Sequence, residues 1–255
     1  VSRLRNRTAL VTGAGRGIGR GIARRLARDG ALVAVNYAAD ATAARETVTL
    51  IEKAGGRAFA VQAELGGPGS VERLLAAVEQ GLVERTGAAT IDILVNNAAV
   101  TGFTGAMPDA VTEEMLDRCY TVNAKAPFLL IQKALRFIPD GGRVINISSG
   151  MTRSAVPEHI AYAMGKGALE QITRHLAPVL AARGITINTV APGVTDNGDP
   201  VFRDAEALRR MAALSVFDRV GTVSDIADVV AFVACDDSRW ITGAFLDATG
   251  GTLLR

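Results

Sequence analysis

Short apolar runs alternate along this chain with longer stretches in which apolar residues recur at helical spacing. Runs of roughly 4–8 apolar residues suit strands buried on both faces of a parallel sheet. They predict strands near residues 8–12, 31–36, 57–62, 91–96, 142–148, 184–190 and 244–248. The stretches between them predict helices near 17–29, 40–54, 69–86, 112–137, 158–182, 203–214 and 224–235. Alternating strands and helices predict a doubly wound α/β fold, with a parallel sheet covered by helices on both faces. No repeat, composition break or long linker interrupts the pattern, so one domain over residues 1–255 is expected. Gly66-Gly67-Pro68-Gly69-Ser70 reads as a turn and helix cap rather than a boundary. Asp196-Asn197-Gly198-Asp199-Pro200 is the most loop-like segment of the second half. It follows a strand end, where open α/β sheets bind ligands, and a substrate lid is expected around 194–215.

The first strand, Thr8-Ala9-Leu10-Val11, runs into Thr12-Gly13-Ala14-Gly15-Arg16-Gly17-Ile18-Gly19. A helical pattern carrying Ile22, Ala23 and Leu26 follows. Strand, glycine loop and helix form the context of a dinucleotide fingerprint. The glycines let backbone approach a pyrophosphate, whose charge sits at the helix N-terminus. The spacing Gly13, Gly17, Gly19 departs from the usual Gly-x-Gly-x-x-Gly.

Tyr162 and Lys166 stand four residues apart in a helical stretch, on one face and within reach of a shared ligand. A phenol beside an ammonium is a proton-donor design, and the cation is expected to lower the tyrosine pKa toward working pH. Ser149 lies upstream, at the end of the run Arg143-Val144-Ile145-Asn146-Ile147-Ser148. Its hydroxyl could face the phenol across a cleft. Ser148 is its rival, although alternation along a strand sends the two to opposite faces.

Thr12-Gly13 through Gly19, Asn96-Asn97-Ala98-Ala99, Asn123, Ser149, Tyr162, Lys166 and Pro192-Gly193 together resemble the short-chain dehydrogenase/reductases, over essentially the whole chain. Within that family the chain looks most like NADPH-dependent ketoacyl and polyketide ketoreductases. Val35-Asn36-Tyr37-Ala38 and Val156-Pro157-Glu158-His159 are also similar to naphthol reductases. The resemblance implies a single-domain Rossmann fold with seven parallel strands in the order 3-2-1-4-5-6-7. It implies catalytic roles for Asn123, Ser149, Tyr162 and Lys166, with Tyr162 as proton donor to a ketone. It also implies that Lys166 holds the nicotinamide ribose, and that Asn123 sits in a bent helix on a water relay to Lys166. The implied activity is reduction of a ketone to a secondary alcohol. An oxidative alcohol dehydrogenase and a non-catalytic NADP-binding sensor or scaffold are the alternatives.

Cofactor contacts are expected from Gly13, Gly15, Arg16, Gly17, Ile18 and Gly19 in the loop, and from Asn97, Ala98 and Ala99 after the fourth strand. Ala99 replaces the family's glycine. NAD sites usually place a carboxylate at the end of the second strand. Here Tyr37 holds that position, and Asp40 reads as a cap on the next helix. Arg16 matches a basic residue that pairs with the 2′-phosphate, so NADP (NADPH) is the expected cofactor. Asn36 and Tyr37 could add contacts to that phosphate. Glu64 and Leu65 stand where the family has an aspartate and a β-branched residue against adenine. Pro192 and Gly193 resemble the nicotinamide wall. Val194 is expected to contact through its backbone, and Thr195 or Asn197 to bond the carboxamide.

Substrate-side residues are expected from Val100 to Phe103, Gly150 to His159 and Val194 to about Met211. Phe103, Met151, Val156, His159 and Phe202 suggest an apolar pocket for an aromatic or acyl ketone, which a carrier protein could deliver. Arg118, Lys125, Arg136 and Arg153 are the candidate cations for a carrier's phosphopantetheine arm.

Charge excludes some partners. A net +2 from 28 basic and 26 acidic residues argues against nucleic acid and anionic membranes. No apolar stretch approaches the ~20 residues that span a bilayer, and no signal peptide is visible at Val1-Ser2-Arg3-Leu4-Arg5. Cys119 and Cys235 read as buried small hydrophobes, and no Cys/His cluster has metal spacing. A reduced, metal-free cytoplasmic protein is expected. The apolar residues Ala161, Ala168, Leu169, Ile172, Leu176 and Leu180, and the tail from Ala244 to Leu254, predict a homo-oligomer. The family resemblance implies a tetramer.

Overall fold

The computed structural model describes residues 2–101 and 106–254. Seven strands form one parallel sheet: β1 (Thr8–Val11), β2 (Leu32–Tyr37), β3 (Arg57–Gln62), β4 (Ile93–Asn96), β5 (Arg143–Ile147), β6 (Thr186–Pro192) and, last in the chain, β9 (Phe245–Ala248). Their order is β3-β2-β1-β4-β5-β6-β9. This is the expected 3-2-1-4-5-6-7 arrangement with two short strands inserted before the last. Those are β7 (Thr195–Asp196) and β8 (Gly221–Thr222), which pair parallel to each other. Two residues are too few to give a periodicity, so hydropathy could not reveal them.

Alternation along the strands divides the core. Ala9, Val11, Val33, Val35, Ile93 and Val95 face one side, packed against α1 (Gly17–Arg28), α2 (Ala41–Lys53) and α8 (Val223–Ala234). Leu10, Leu32, Ala34 and Leu94 face the other, against α3 (Ser70–Thr86), α5 (Ala126–Ala134) and α6 (Ile160–Leu180). Successive side chains of a strand point to opposite faces, so apolar runs without polar interruption build both layers. Ile22 and Leu26 on α1 and Leu74 and Val78 on α3 are fully buried. Each such side chain contributes about 1.5–3 kcal/mol relative to exposure.

The expected helix over 112–137 is interrupted. It consists of α4 (Glu113–Tyr120), a π-helical turn over Thr121–Lys125, and α5. The Ala126 N–H bonds the Thr121 carbonyl across the wider turn. Asn123 lies inside this π turn, where the regular helix is interrupted. The helix between β7 and β8, α7 (Ala205–Ala212), has no buried residue.

Candidate active site

The glycine loop leaves β1 and enters α1 at Gly17. Thr12 braces it from below: its Oγ1 accepts the N–H groups of Asn97 and Ala98 at 2.9 and 3.0 Å. Asn97 Nδ2 donates to the carbonyls of Thr12 and Gly13 at 2.8 and 3.2 Å. Asn97 and Ala98 therefore act as scaffold for the loop, while Ala99 is exposed beyond it. A Cβ at Gly19 would stand 2.3 Å from the Gly13 carbonyl oxygen, so only glycine lets α1 begin this close to the loop. Gly15 is buried, and its carbonyl accepts from Arg20 Nε and Nη2 and from Thr47 at 3.0, 2.8 and 3.0 Å. Ile18 packs partly buried against the core.

No side chain caps α1. Its N-terminal N–H groups remain for an anion at the positive end of the helix, an arrangement that takes a phosphate. Arg16, exposed, is the residue just before α1, and no hydrogen bond or ion pair among the described residues engages its guanidinium. Tyr37 ends β2 half-buried. Asp40 Oδ1 accepts the Ala43 N–H at 2.9 Å and caps α2, as expected. No carboxylate therefore ends β2, and the loop fits a dinucleotide with a phosphorylated ribose.

Two residues expected at the cofactor have other partners within the protein. Asn36 is buried, and its Oδ1 accepts the Gly13 N–H at 3.2 Å. Its Nδ2 faces the carbonyls of Tyr37, Val61 and Ala63. Asn36 thus ties the loop to β2 and β3 instead of reaching a phosphate. Glu64, expected against adenine, is exposed and paired with Arg118 at 2.8 Å, while Leu65 beside it is buried in the core.

Pro192 ends β6 and Gly193 follows, close against Thr249. The Val194 carbonyl accepts the Gly221 N–H at 3.0 Å. Thr195 is buried and donates to the Gly193 carbonyl at 3.0 Å. Asn197 Oδ1 accepts the Asp199 N–H, and its Cβ lies beside Gly17. That places Asn197 over the glycine loop rather than the nicotinamide wall.

The chemical groups converge between β5 and α6. Ser149 Oγ accepts the Met151 N–H at 3.2 Å and stands near enough to the Tyr162 hydroxyl to act on its pKa. Ser148 turns the opposite way and donates to Glu170 at 2.7 Å. The two serines are thereby distinguished, and Ser149 is the one that meets the phenol. Lys166, one turn beyond Tyr162, is 2% exposed and donates to the Ile147 carbonyl at 2.7 Å. A buried ladder holds α6 against the sheet here. Asn96 donates to Asn146 at 2.8 Å, Asn146 to Thr173 at 2.9 Å, and Thr173 meets Thr189 at 2.7 Å. Asn123 is fully buried, and its side-chain amide exchanges hydrogen bonds with the Val100 backbone at 2.8 and 3.1 Å. A Cβ on Gly165 would lie 3.1 Å from the Cys119 carbonyl oxygen and 3.2 Å from Asn123 Cβ, so glycine lets α6 close on the π turn.

The tyrosine pKa runs against the expectation. Burial pushes Tyr162 up to about 12, outweighing the neighbouring Ser149 hydroxyl, which acts downward. Burial also brings Lys166 down to about 8, opposed by the Glu170 charge. The reason is geometric. The ammonium lies 5.8 Å from the Tyr162 ring centroid and spends a hydrogen bond on Ile147, so desolvation dominates its effect on the phenol.

A family model described as enoyl-(acyl carrier protein) reductase matches residues 13–252. The chain is 38% identical to versicolorin reductase stcU of Emericella nidulans over 263 residues, 98% of this chain and 96% of that one. The structure of a short-chain dehydrogenase/reductase from Serratia marcescens is 35% identical, with a TM-score of 0.89 and coverage of 98% and 99%. The chain belongs to the short-chain dehydrogenase/reductase family. Among solved members, the landomycin C-6 ketoreductase LanV, with bound NADP and rabelomycin, is 56% identical with a TM-score of 0.93, covering 99% of this chain and 98% of its own.

On the substrate side of this short-chain dehydrogenase/reductase, Met151 and Phe202 are half-buried and Val156 is exposed. His159 sits on the turn leading into α6, its Nδ1 buried with no partner among the described residues. Phe103 lies outside the described residues. The cations suggested for a carrier arm are dispersed. Arg118 pairs with Glu64, Arg153 with Glu170, and Arg136 covers the Phe137 ring, leaving Lys125 exposed at the end of the π turn. No helix among the described residues is long and apolar enough to cross a membrane.

Proposed function

We propose that the protein is an NADPH-dependent ketoreductase acting on a ketone of a polycyclic aromatic polyketide. The observation that carries the reading is the juxtaposition of Ser149 and Tyr162, backed by buried Lys166 on the next turn. Two hydroxyls converging on one position suit a carbonyl oxygen. Ser149 steadies the charge that develops there, and Tyr162 delivers the proton. NADPH, when bound, supplies the hydride. Arg16 and the open end of α1 hold its phosphates, Lys166 its nicotinamide ribose, and Pro192 and Gly193 the wall behind the ring. The π turn sets Asn123 beside α6 and fixes Val100 at the cleft edge. The apolar side chains Met151, Val156 and Phe202 favour a flat aromatic substrate, and two of the relatives above are named as a versicolorin reductase and a landomycin C-6 ketoreductase. Residues 194–215 form the lid of the single domain, with Leu208 and Leu214 offering exposed apolar surface. NADPH consumption against acyl thioesters, aryl ketones and steroids tests this. Turnover is expected with polycyclic aryl ketones, and no turnover with any ketone would overturn the reading.

The protonation states favour reduction over oxidation. A phenol with a pKa near 12 is protonated at neutral pH and ready to donate. The phenolate that oxidation needs is then only about one part in 10⁵ at pH 7. The Lys166 ammonium persists below about 8 and is lost above it. Reduction should therefore hold level through neutral pH and decline above about 8, while alcohol oxidation climbs with pH. Matched pH profiles of kcat/KM in both directions check this. The sensor alternative is less favoured, because all four catalytic residue types are retained.

The protein assembles as a homotetramer in this reading. On α6, Met164 and Val179 are 58% and 65% exposed, beside half-buried Ala168, Ile172 and Leu176. Tyr120 and Phe128 are also exposed, and Trp240, just ahead of the edge strand β9, is 97% exposed. So much exposed apolar area suits contact with further copies of the chain. Light scattering at micromolar concentration should give four times the chain mass; a monomer would refute it. Two buried, unpaired cysteines fit a reducing, cytoplasmic location.

A further inference from the structure

Tyr162 and Lys166 account for two turns of the α6 face that meets the sheet. One turn further stands Glu170, a carboxylate only 9% exposed. Acids are rarely buried without partners, and this one has two. Oε1 accepts the Ser148 hydroxyl at 2.7 Å, and Oε2 pairs with Arg153 Nη1 at 2.9 Å. Ser148 is the residue before Ser149. Arg153 closes the short helical turn Gly150–Thr152 that begins at Ser149, and its guanidinium lies 4.3 Å from the centroid of the Phe245 ring on β9. One buried carboxylate therefore bonds on both sides of Ser149 while sitting one turn from Lys166.

We propose that Glu170 is a positioning residue for the reduction, a buried counter-charge that couples Lys166 to the segment presenting Ser149. This rests on the ketoreductase reading above. Glu170 is the one charge among the described residues whose Coulomb interaction acts on Lys166, and it favours the ammonium. The other groups around α6 differ. Cys119 of α4 acts on Tyr162 rather than on Lys166. The π turn brings Asn123, β5 the Ile147 carbonyl, and β6 Thr189, all uncharged. Arg153 faces Glu170 from the substrate loop and draws part of its field away from Lys166.

Two substitutions move the lysine in opposite directions. Glu170→Gln keeps an acceptor for Ser148 and removes the charge, so the alkaline fall of ketone reduction should shift to lower pH by about half a unit or more. Turnover at pH 8 should drop by about twofold to fivefold for a shift of about half a unit to one unit, as Lys166 loses its proton earlier. Glu170→Asp should bring the profile back toward that of the wild type. Arg153→Met leaves the carboxylate facing Lys166 without its competitor, so the same fall should shift to higher pH. A purely structural role would lower the melting temperature and turnover at every pH without moving the profile. The experiment is the pH dependence of kcat/KM with NADPH and one aryl ketone for the tetramer and the three variants. An unmoved profile in Glu170→Gln, or a downward shift in Arg153→Met, overturns the proposal; if Glu170→Gln fails to fold, the direction in Arg153→Met decides. Absence of ketone turnover in the wild type would instead fail the ketoreductase reading, and it is read first.

Discussion

Tyr162→Phe should lower ketone turnover by roughly 10²–10⁴-fold, the usual contribution of a general acid. The ring is retained, so packing on α6 and cofactor affinity should be largely spared. The hydroxyl is the only group removed, and with it goes the donor beside Ser149. Single-turnover rates with NADPH and an aryl ketone, alongside NADPH binding measured by fluorescence, separate the chemical loss from a binding loss. Near-normal turnover in this variant would remove Tyr162 from the proton-donor role.

The second large effect concerns cofactor choice. A charge-assisted bond between Arg16 and a 2′-phosphate contributes roughly 1.5–3 kcal/mol. That corresponds to a preference for NADPH over NADH of about 10–150-fold. Arg16→Ala should erode the preference mainly by weakening NADPH. Tyr37→Asp should act by a different route, adding repulsion against the phosphate and an acceptor for the ribose hydroxyls of NADH. The end of β2 has room for that role because Asp40 is committed to capping α2. The double substitution should invert the preference, read as kcat/KM for both cofactors with one fixed ketone. A wild type without preference, or one favouring NADH, would show that these positions do not read the ribose.

The candidate catalytic and loop residues were legible because their spacing is local. Gly13 to Gly19 lie between a strand and a helix, and Tyr162 and Lys166 share a face one turn apart, so chain geometry alone brings each set together. Strand alternation set Ser148 and Ser149 on opposite faces and the family spacing selected Ser149; the structure turns Ser148 away to Glu170. Burial and long-range partners were not legible. Asn36 looked like a ligand for phosphate at a strand end. Three carbonyls and the Gly13 amide, drawn from three segments of the chain, occupy it instead. Glu64 looked free for adenine until Arg118, far along the chain, met it. Glu170 carried a usable signal, one turn beyond Lys166 on the same face, but its importance depends on Ser148 and Arg153 arriving from β5 and the following turn.

Hydropathy by itself determined the parallel sheet and its covering helices, because strands buried on both faces must be apolar throughout and each crossover must cover a face. The order of residue types along the chain, with its resemblance to a known family, was enough to point to the nucleotide loop and the acid–base pair. Tertiary structure decided how those groups behave. The pKa of Tyr162 depends on the balance between desolvation and a neighbouring charge, which spacing cannot supply. Sequence proximity suggested that the lysine would dominate. Packing of α6 against β5 and the π turn buried both groups and aimed Lys166 at the Ile147 carbonyl, and desolvation prevailed. A charge's effect on its neighbour is set by distance, direction and the solvent excluded around both, and these come into being only when the helix closes on the sheet.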